Sequence, residues 1–275
     1  MKVLKTHKTF EGLTQFWSHE SAETKTEMKF ATFIPNGKVE GCIIWLSGLT
    51  CTDENFITKA GAQKYLAENN LMVIAPDTSP RGLNLPGEHD SYDFGSGAGF
   101  YVDATTADYK TNYRMYSYIA NELYGVIQNH FKVMNIAIMG HSMGGHGALV
   151  IGLRESEKFR SVSAFSPIVN PTQAPWGQKA FRGYLGDNQN VWKSYDACEL
   201  IKSGKRHAHK ILIHQGTKDE FLLNGQLLTP NWVESCQRHD QEQEVVFAED
   251  YDHSYYFIAT FIESHIKHHA KFLKQ

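Results

Sequence analysis

Apolar residues occur in two patterns along this chain: short unbroken runs, and longer stretches of helical periodicity that divide them. Gly41-Cys42-Ile43-Ile44-Trp45-Leu46 and Leu71-Met72-Val73-Ile74-Ala75 are runs ended by turn-forming residues, as expected of strands buried on both faces. Asn135–Met139, Ser161–Phe165, Ile211–His214 and Glu244–Phe247 read as further strands. Near the start, Phe10–Trp17 and Met28–Ile34 are rich in aromatic and β-branched residues on either side of a charged, turn-prone stretch, which predicts an antiparallel pair. Helical spacing predicts helices over Glu54–Asn70, Asp108–His130, Met143–Leu153, about Pro230–His239, and Tyr255–Phe272. Strand–helix alternation after an antiparallel start implies one α/β domain, residues 1–275. Its mostly parallel sheet has eight strands, with helices on both faces. The region from about 170 to 203, with Pro171, Pro175 and Trp176, interrupts the rhythm and reads as a cap-like insertion.

Pro76–Thr106 is a long polar loop, a length that in a compact domain usually marks function. Its Gly95-Ser96-Gly97-Ala98-Gly99 lacks the strand-to-helix setting and the spacing of a nucleotide cradle.

Composition narrows the classes. The net charge of −3 with interspersed signs gives no reason to expect nucleic acid or an anionic membrane as partner. No apolar run approaches a membrane span, and Met1–Lys8 has no signal-peptide core. Cys42, Cys51, Cys198 and Cys236 form no CxxC pair and no metal spacing, so reduced thiols in a cytoplasmic protein and no metal site are expected.

The chemistry starts at Gly140-His141-Ser142-Met143-Gly144, a G-x-S-x-G sequence set between a predicted strand and a predicted helix. That sharp turn exposes a serine hydroxyl at the strand's carboxyl end, beside a helix N-terminus that favours negative charge. A serine needs a base, and the base an orienting carboxylate. On this topology the partners follow in the order Ser, Asp, His, each after a later strand. Asp219 and Glu220 follow the strand 211–214. The turn Gly216-Thr217-Lys218 presents Asp219, with a solvated loop carboxylate as the competing reading. Of 14 histidines, His253 alone follows the last strand and precedes the closing helix. His141 is expected to face away from the serine and His146 to pack. His265, His268 and His269 read as solvated helix positions, and His207 and His209 as part of a basic loop. Acyl transfer also needs two oxyanion donors, expected from the backbone N–H of Met143 and of Leu49 in the loop Ser47-Gly48-Leu49-Thr50-Cys51. With its base behind Ser142, the chain leaves Cys51 as a thiol near the site and not the nucleophile.

Six stretches, LSGLTCTDENF (46–56), APDTSPRG (75–82), DFGSGAGFYVDAT (93–105), GHSMGGHGAL (140–149), GTKDEFL (216–222) and YDHSYYFIATFI (251–262), run nearly end to end, and on them the sequence resembles the S-formylglutathione hydrolase (esterase D) family of the α/β-hydrolase superfamily. The resemblance implies a cytoplasmic, cofactor-free serine thioesterase that cleaves S-formylglutathione to glutathione and formate in formaldehyde detoxification, with a small-molecule substrate and a homodimeric assembly. It places the nucleophile on Ser142, the acid on Asp219, the base on His253 and the oxyanion donors on Leu49 and Met143. Trp176 and the Gly95–Phe100 loop look like site-lining elements. A general short-chain carboxylesterase and a non-catalytic binding protein on the same scaffold are the alternatives.

Overall fold

The computed structural model describes residues 1–274. In chain order the elements are β1 (Lys2–Lys8), β2 (Gly12–Glu20), β3 (Glu27–Pro35), β4 (Gly41–Leu46), α1 (Asp53–Lys59), α2 (Gln63–Glu68) and β5 (Leu71–Pro76). A helical segment follows, with α3 (Met115–Ser117), a π-helical stretch over Tyr118–Leu123 and α4 (Tyr124–Asn129). Next come β6 (Ile136–His141), α5 (Met143–Arg154), β7 (Val162–Phe165), α6 (Pro175–Leu185), α7 (Gln189–Trp192) and α8 (Ala197–Lys202). The chain closes with β8 (Ile211–Gly216), α9 (Glu220–Leu223), α10 (Thr229–Arg238), β9 (Gln243–Ala248) and α11 (Tyr255–Leu273).

All nine strands form one sheet in the order β1-β2-β3-β5-β4-β6-β7-β8-β9. β1, β2, β3 and β5 pair antiparallel, and from β5 onward every pairing is parallel. The sequence predicts eight strands; the ninth is β1. Its residues are exposed throughout, so it has no buried face and hence no apolar period to read. Its lysines suit an unpaired sheet edge.

The uninterrupted runs alternate between two cores, one on each face. Cys42, Ile44 and Leu46 of β4, with Ile136 and Ile138 of β6, belong to the cluster that contains α5 and the 115–129 helical segment. Ile43, Trp45, Ala137 and Met139 face the cluster built with α1, α2 and α11. This two-sided burial is why the runs 41–46, 71–75 and 136–139 carry no polar side chain.

Two predicted helices differ. Glu54–Asn70 is split at Gly61, which adopts φ +64° and lets the chain turn between α1 and α2. The 108–130 helix begins only at Met115. Asp103 accepts hydrogen bonds from the Ser117 N–H (2.9 Å) and hydroxyl (2.5 Å), anchoring the first turn there. The histidines expected to be solvated are a further correction, since His265, His268 and His269 are buried, as is His207. The closing helix lies on the sheet, where His265 bonds Ser163 and His214 and His269 bonds Ser161 and Ser163 instead of facing water.

Candidate active site

The parallel strands end on one edge of the sheet, and the candidate residues sit in the loops there. Between β6 and α5, Ser142 takes φ 58° and ψ −120°, a left-handed conformation costly for any residue but glycine. Two close approaches force the turn. A Cβ at Gly140 would overlap the Gly144 carbonyl oxygen, and one at Gly144 would overlap the carbonyl oxygen of Leu46 in β4. The backbone is then pinned on both sides: the Ser142 N–H donates to the Phe165 carbonyl (3.0 Å), and its own carbonyl accepts from His146 (3.0 Å) and Ile168 (3.2 Å).

Asp219, fully buried, follows β8 and caps the short α9, accepting from the Phe221 N–H at 2.9 Å. Gln215 Nε2 donates to its other oxygen at 3.2 Å, and Gln215 is itself held by the Thr229 hydroxyl (2.7 Å). His253 Nδ1 lies 2.6 Å from that same Oδ2. A carboxylate only accepts, so Nδ1 carries the proton and Nε2 is left as the free base. Burial alone would raise the Asp219 pKa, but the hydrogen bond and charge of His253, with donors from Ser166 and Phe221, bring it below the ordinary carboxylate value. Glu220 is exposed, and Asp252 spends its oxygen on the N–H (2.9 Å) and hydroxyl (2.6 Å) of Ser254.

Ser142 and His253 line one cavity of about 370 Å³. The His253 ring is flanked by Phe221, edge-on at 4.7 Å between centroids, and by His141 at 4.3 Å. His141 therefore faces into the site, against expectation. The turn at Ser142 folds the preceding side chain under the base, where burial and the neighbouring His253 drive its pKa well below the usual imidazole value. His146 packs as expected, its Nε2 2.9 Å from the Phe100 carbonyl and its pKa pulled by burial to about 4.

The loop Ser47–Cys51 forms a second wall. A Cβ on Gly48 would come within 3.1 Å of the Ser142 Cβ, so the chain passes directly over the serine. The N–H of Thr50 donates to the Gly97 carbonyl (2.9 Å) and that of Cys51 to the Gly48 carbonyl (3.3 Å). Among the described residues no backbone carbonyl is recorded as accepting from Leu49, and the first N–H of a helix, here Met143, has no partner within its helix. The Cys51 carbonyl accepts from the Thr78 hydroxyl (2.6 Å) and from Arg81 (3.0 Å), whose guanidinium also pairs with buried Asp77 at 2.6 Å. Thr52 and Asn55 then form a capping box that starts α1.

Cys51 and Trp176 both line the cavity. Burial pushes the Cys51 thiol above its ordinary pKa, the wrong direction for a nucleophilic thiolate. Trp176 arrives from the 170–203 region at the start of α6 and meets Phe221 at 4.7 Å. The Gly95–Phe100 loop does not line the cavity; it buttresses the wall through Gly97. Sequence reasoning missed Lys59, Tyr92, His141, Phe221 and Tyr255 as lining residues. Only Phe221 and Tyr255 carried a usable signal, each two positions beyond a candidate catalytic residue. Among the described residues, no cluster of side chains could hold a metal ion and no helix is long and apolar enough to cross a membrane.

The family model Esterase matches residues 21–268. S-formylglutathione hydrolases of Rattus norvegicus and Bos taurus are 54% and 52% identical to this chain, each alignment covering 99% of both proteins. A solved S-formylglutathione hydrolase from Agrobacterium tumefaciens superposes with a TM-score of 0.96 at 41% identity, over 99% of this chain and 100% of that one.

Proposed function

We propose, from the premise that the chain belongs to the S-formylglutathione hydrolase family of esterases, that it hydrolyses S-formylglutathione to glutathione and formate, with Ser142 as nucleophile, His253 as base and Asp219 as the carboxylate that orients it. The observation that carries this reading is the 2.6 Å bond from His253 to a buried Asp219, with His253 and Ser142 in one cavity.

In the proposed reaction, His253 Nε2 takes the Ser142 hydroxyl proton as Oγ attacks the formyl carbon. The carbonyl oxygen becomes an oxyanion held by the N–H groups of Leu49 and Met143, each such donor being worth roughly 3 kcal/mol. The C–S bond breaks, and the imidazolium returns the proton to the departing glutathione sulfur. A water, deprotonated by the same Nε2, attacks the formyl-serine, and formate leaves as Ser142 regains its proton. Asp219 stays ionised throughout, in keeping with its lowered pKa. No step requires a cofactor.

The reading includes a place in formaldehyde detoxification, one catalytic domain over residues 1–275 with 170–203 as its cap, and a cytoplasmic homodimer. Four unpaired thiols suit a reducing compartment, and gel filtration tests the dimer. The deciding experiment compares kcat/KM for S-formylglutathione with that for a neutral short-chain ester, in wild type and Ser142→Ala. A clear preference for the thioester, abolished by Ser142→Ala, supports the proposal. Equal or better turnover of the ester would make the chain a general carboxylesterase, and turnover surviving Ser142→Ala would remove the triad.

A further inference from the structure

The cavity over Ser142 is electrostatically lopsided. The chain carries a net charge of −3, yet no carboxylate lines this cavity, and Lys59 is its one permanently charged lining residue. Lys59 ends α1, the helix that leaves the Ser47–Cys51 loop through the Thr52 cap. Six residue steps at about 1.5 Å place it about 9 Å along the helix from Asp53. Its ammonium lies 5.7 Å from the centroid of the Tyr255 ring, which also lines the cavity, and this contact aims the side chain at the opening. Among the described residues no carboxylate pairs with it, whereas Lys64 in α2 is engaged with Glu68 at 3.9 Å. Asn55, one turn before Lys59 on the same face of α1, lines the same wall.

We propose that Lys59 is a specificity-determining residue that binds a carboxylate of the substrate's leaving group. The inference rests on the thioesterase reading and deepens it. Glutathione is a tripeptide thiol with two carboxylates and one ammonium, so it is a net anion. Its formyl group must lie at Ser142 while its peptide arms extend outward along the cavity. A carboxylate on an arm that follows α1 meets the ammonium of Lys59 at the mouth. A neutral ester of the same acyl group makes no such contact, so Lys59 separates the two substrates without touching the reacting atoms.

The test measures kcat/KM for S-formylglutathione and for a neutral short-chain ester in wild type, Lys59→Gln, Lys59→Glu and Lys59→Arg. It also measures inhibition of ester hydrolysis by S-methylglutathione, a thioether that cannot be cleaved. The thioester-to-ester ratio is expected to fall about fivefold in Lys59→Gln, the scale of one exposed charge contact, and further in Lys59→Glu. The loss is carried by KM, the inhibition constant for S-methylglutathione rises in step, and Lys59→Arg restores both. Raising ionic strength weakens binding of the thioester more than that of the ester. Equal losses on both substrates, no loss on either, or a Lys59→Arg protein as impaired as Lys59→Gln would each overturn the proposal. Should wild type prefer the neutral ester, the thioesterase reading fails by itself, and the inhibition series still decides whether Lys59 binds the anionic tripeptide.

Discussion

The guanidinium of Arg81 donates to the carbonyl of Cys51 at 3.0 Å while gripping the buried carboxylate of Asp77. With the Thr78 hydroxyl on the same carbonyl, this fixes the far end of the loop that passes over Ser142. Arg81 does not itself line the cavity; it holds the backbone of the loop that carries the proposed Leu49 donor. Arg81→Lys keeps a charge beside Asp77 but cannot hold both partners with one planar fork. We expect kcat to fall about 10- to 100-fold with little change in KM, short of the roughly 3 kcal/mol lost when a donor is removed outright. A fall confined to KM, or a loss of activity matched by a collapse of the thermal midpoint, would sink the positioning role.

The Asp219–His253 bond makes its own prediction. Asp219→Asn can donate to Nδ1 and so stabilises the wrong tautomer, leaving no free base at Nε2. A comparable change in serine proteases costs about 10⁴-fold in kcat, and a loss of similar order with KM nearly unchanged is expected here. Glu220→Gln, at an exposed neighbouring position, should retain wild-type rates. If steady-state kinetics show the reverse pattern, the acid has been assigned to the wrong carboxylate.

The positions of Ser142 and Asp219 were legible because each follows a strand, β6 or β8, that is buried along its whole length. β9, before His253, is a half-exposed edge strand marked only by Val245-Val246-Phe247, so His253 was found by its place between that last strand and the closing helix. Ser142 carried a second signal, the flanking glycines, which are required because Gly140 and Gly144 have no room for a Cβ. Sidedness was not legible. His141 turns inward because of the backbone twist at Ser142; the glycines mark a sharp turn but not the side to which it sends the preceding side chain. The histidines of α11 looked polar, as on a solvated face. The partners that let them be buried, Ser161, Ser163 and His214, are about 50 to 100 residues distant in sequence. Lys59 was invisible for the opposite reason, since an exposed lysine at a helix end is ordinary until a cavity is seen beside it.

Cys51 lines the cavity but has its pKa raised by burial. Cys51→Ala should therefore hydrolyse substrate at close to the wild-type rate. Bulky maleimides should block wild type by occupying the cavity, slowly because little thiolate is present at neutral pH. The block should be absent in Cys51→Ala, which should keep its rate in the presence of the reagent. An inactive Cys51→Ala beside an active Ser142→Ala would reverse the choice of nucleophile.

Acid should unfold this protein from an unusually high pH. His141, His146, His214, His265, His268 and His269 are all buried, and burial lowers every one of their pKa values, three of them to about 4. In the unfolded chain they titrate near 6.5. The folded state therefore binds fewer protons than the unfolded state below that pH. The stability these neutral rings contribute is complete above pH 6.5 and is lost as pH falls through 6 toward 4. Each histidine that stays neutral in the fold contributes a slope of about 1.4 kcal/mol per pH unit in that window. Asp53, pushed by burial to about 6, and Asp196, also raised by burial, act in the opposite sense, but two carboxyls do not offset six imidazoles. The relay Ser161–His269–Ser163–His265–His214, with links of 2.7 to 2.9 Å, clamps α11 to the sheet, so the loss should centre on that helix. Thermal melts at pH 7.5, 6 and 5 should show midpoints dropping steeply, and hydrogen exchange should show α11 losing protection first. A midpoint that holds level down to pH 5 would mean that these histidines are not buried as neutral rings.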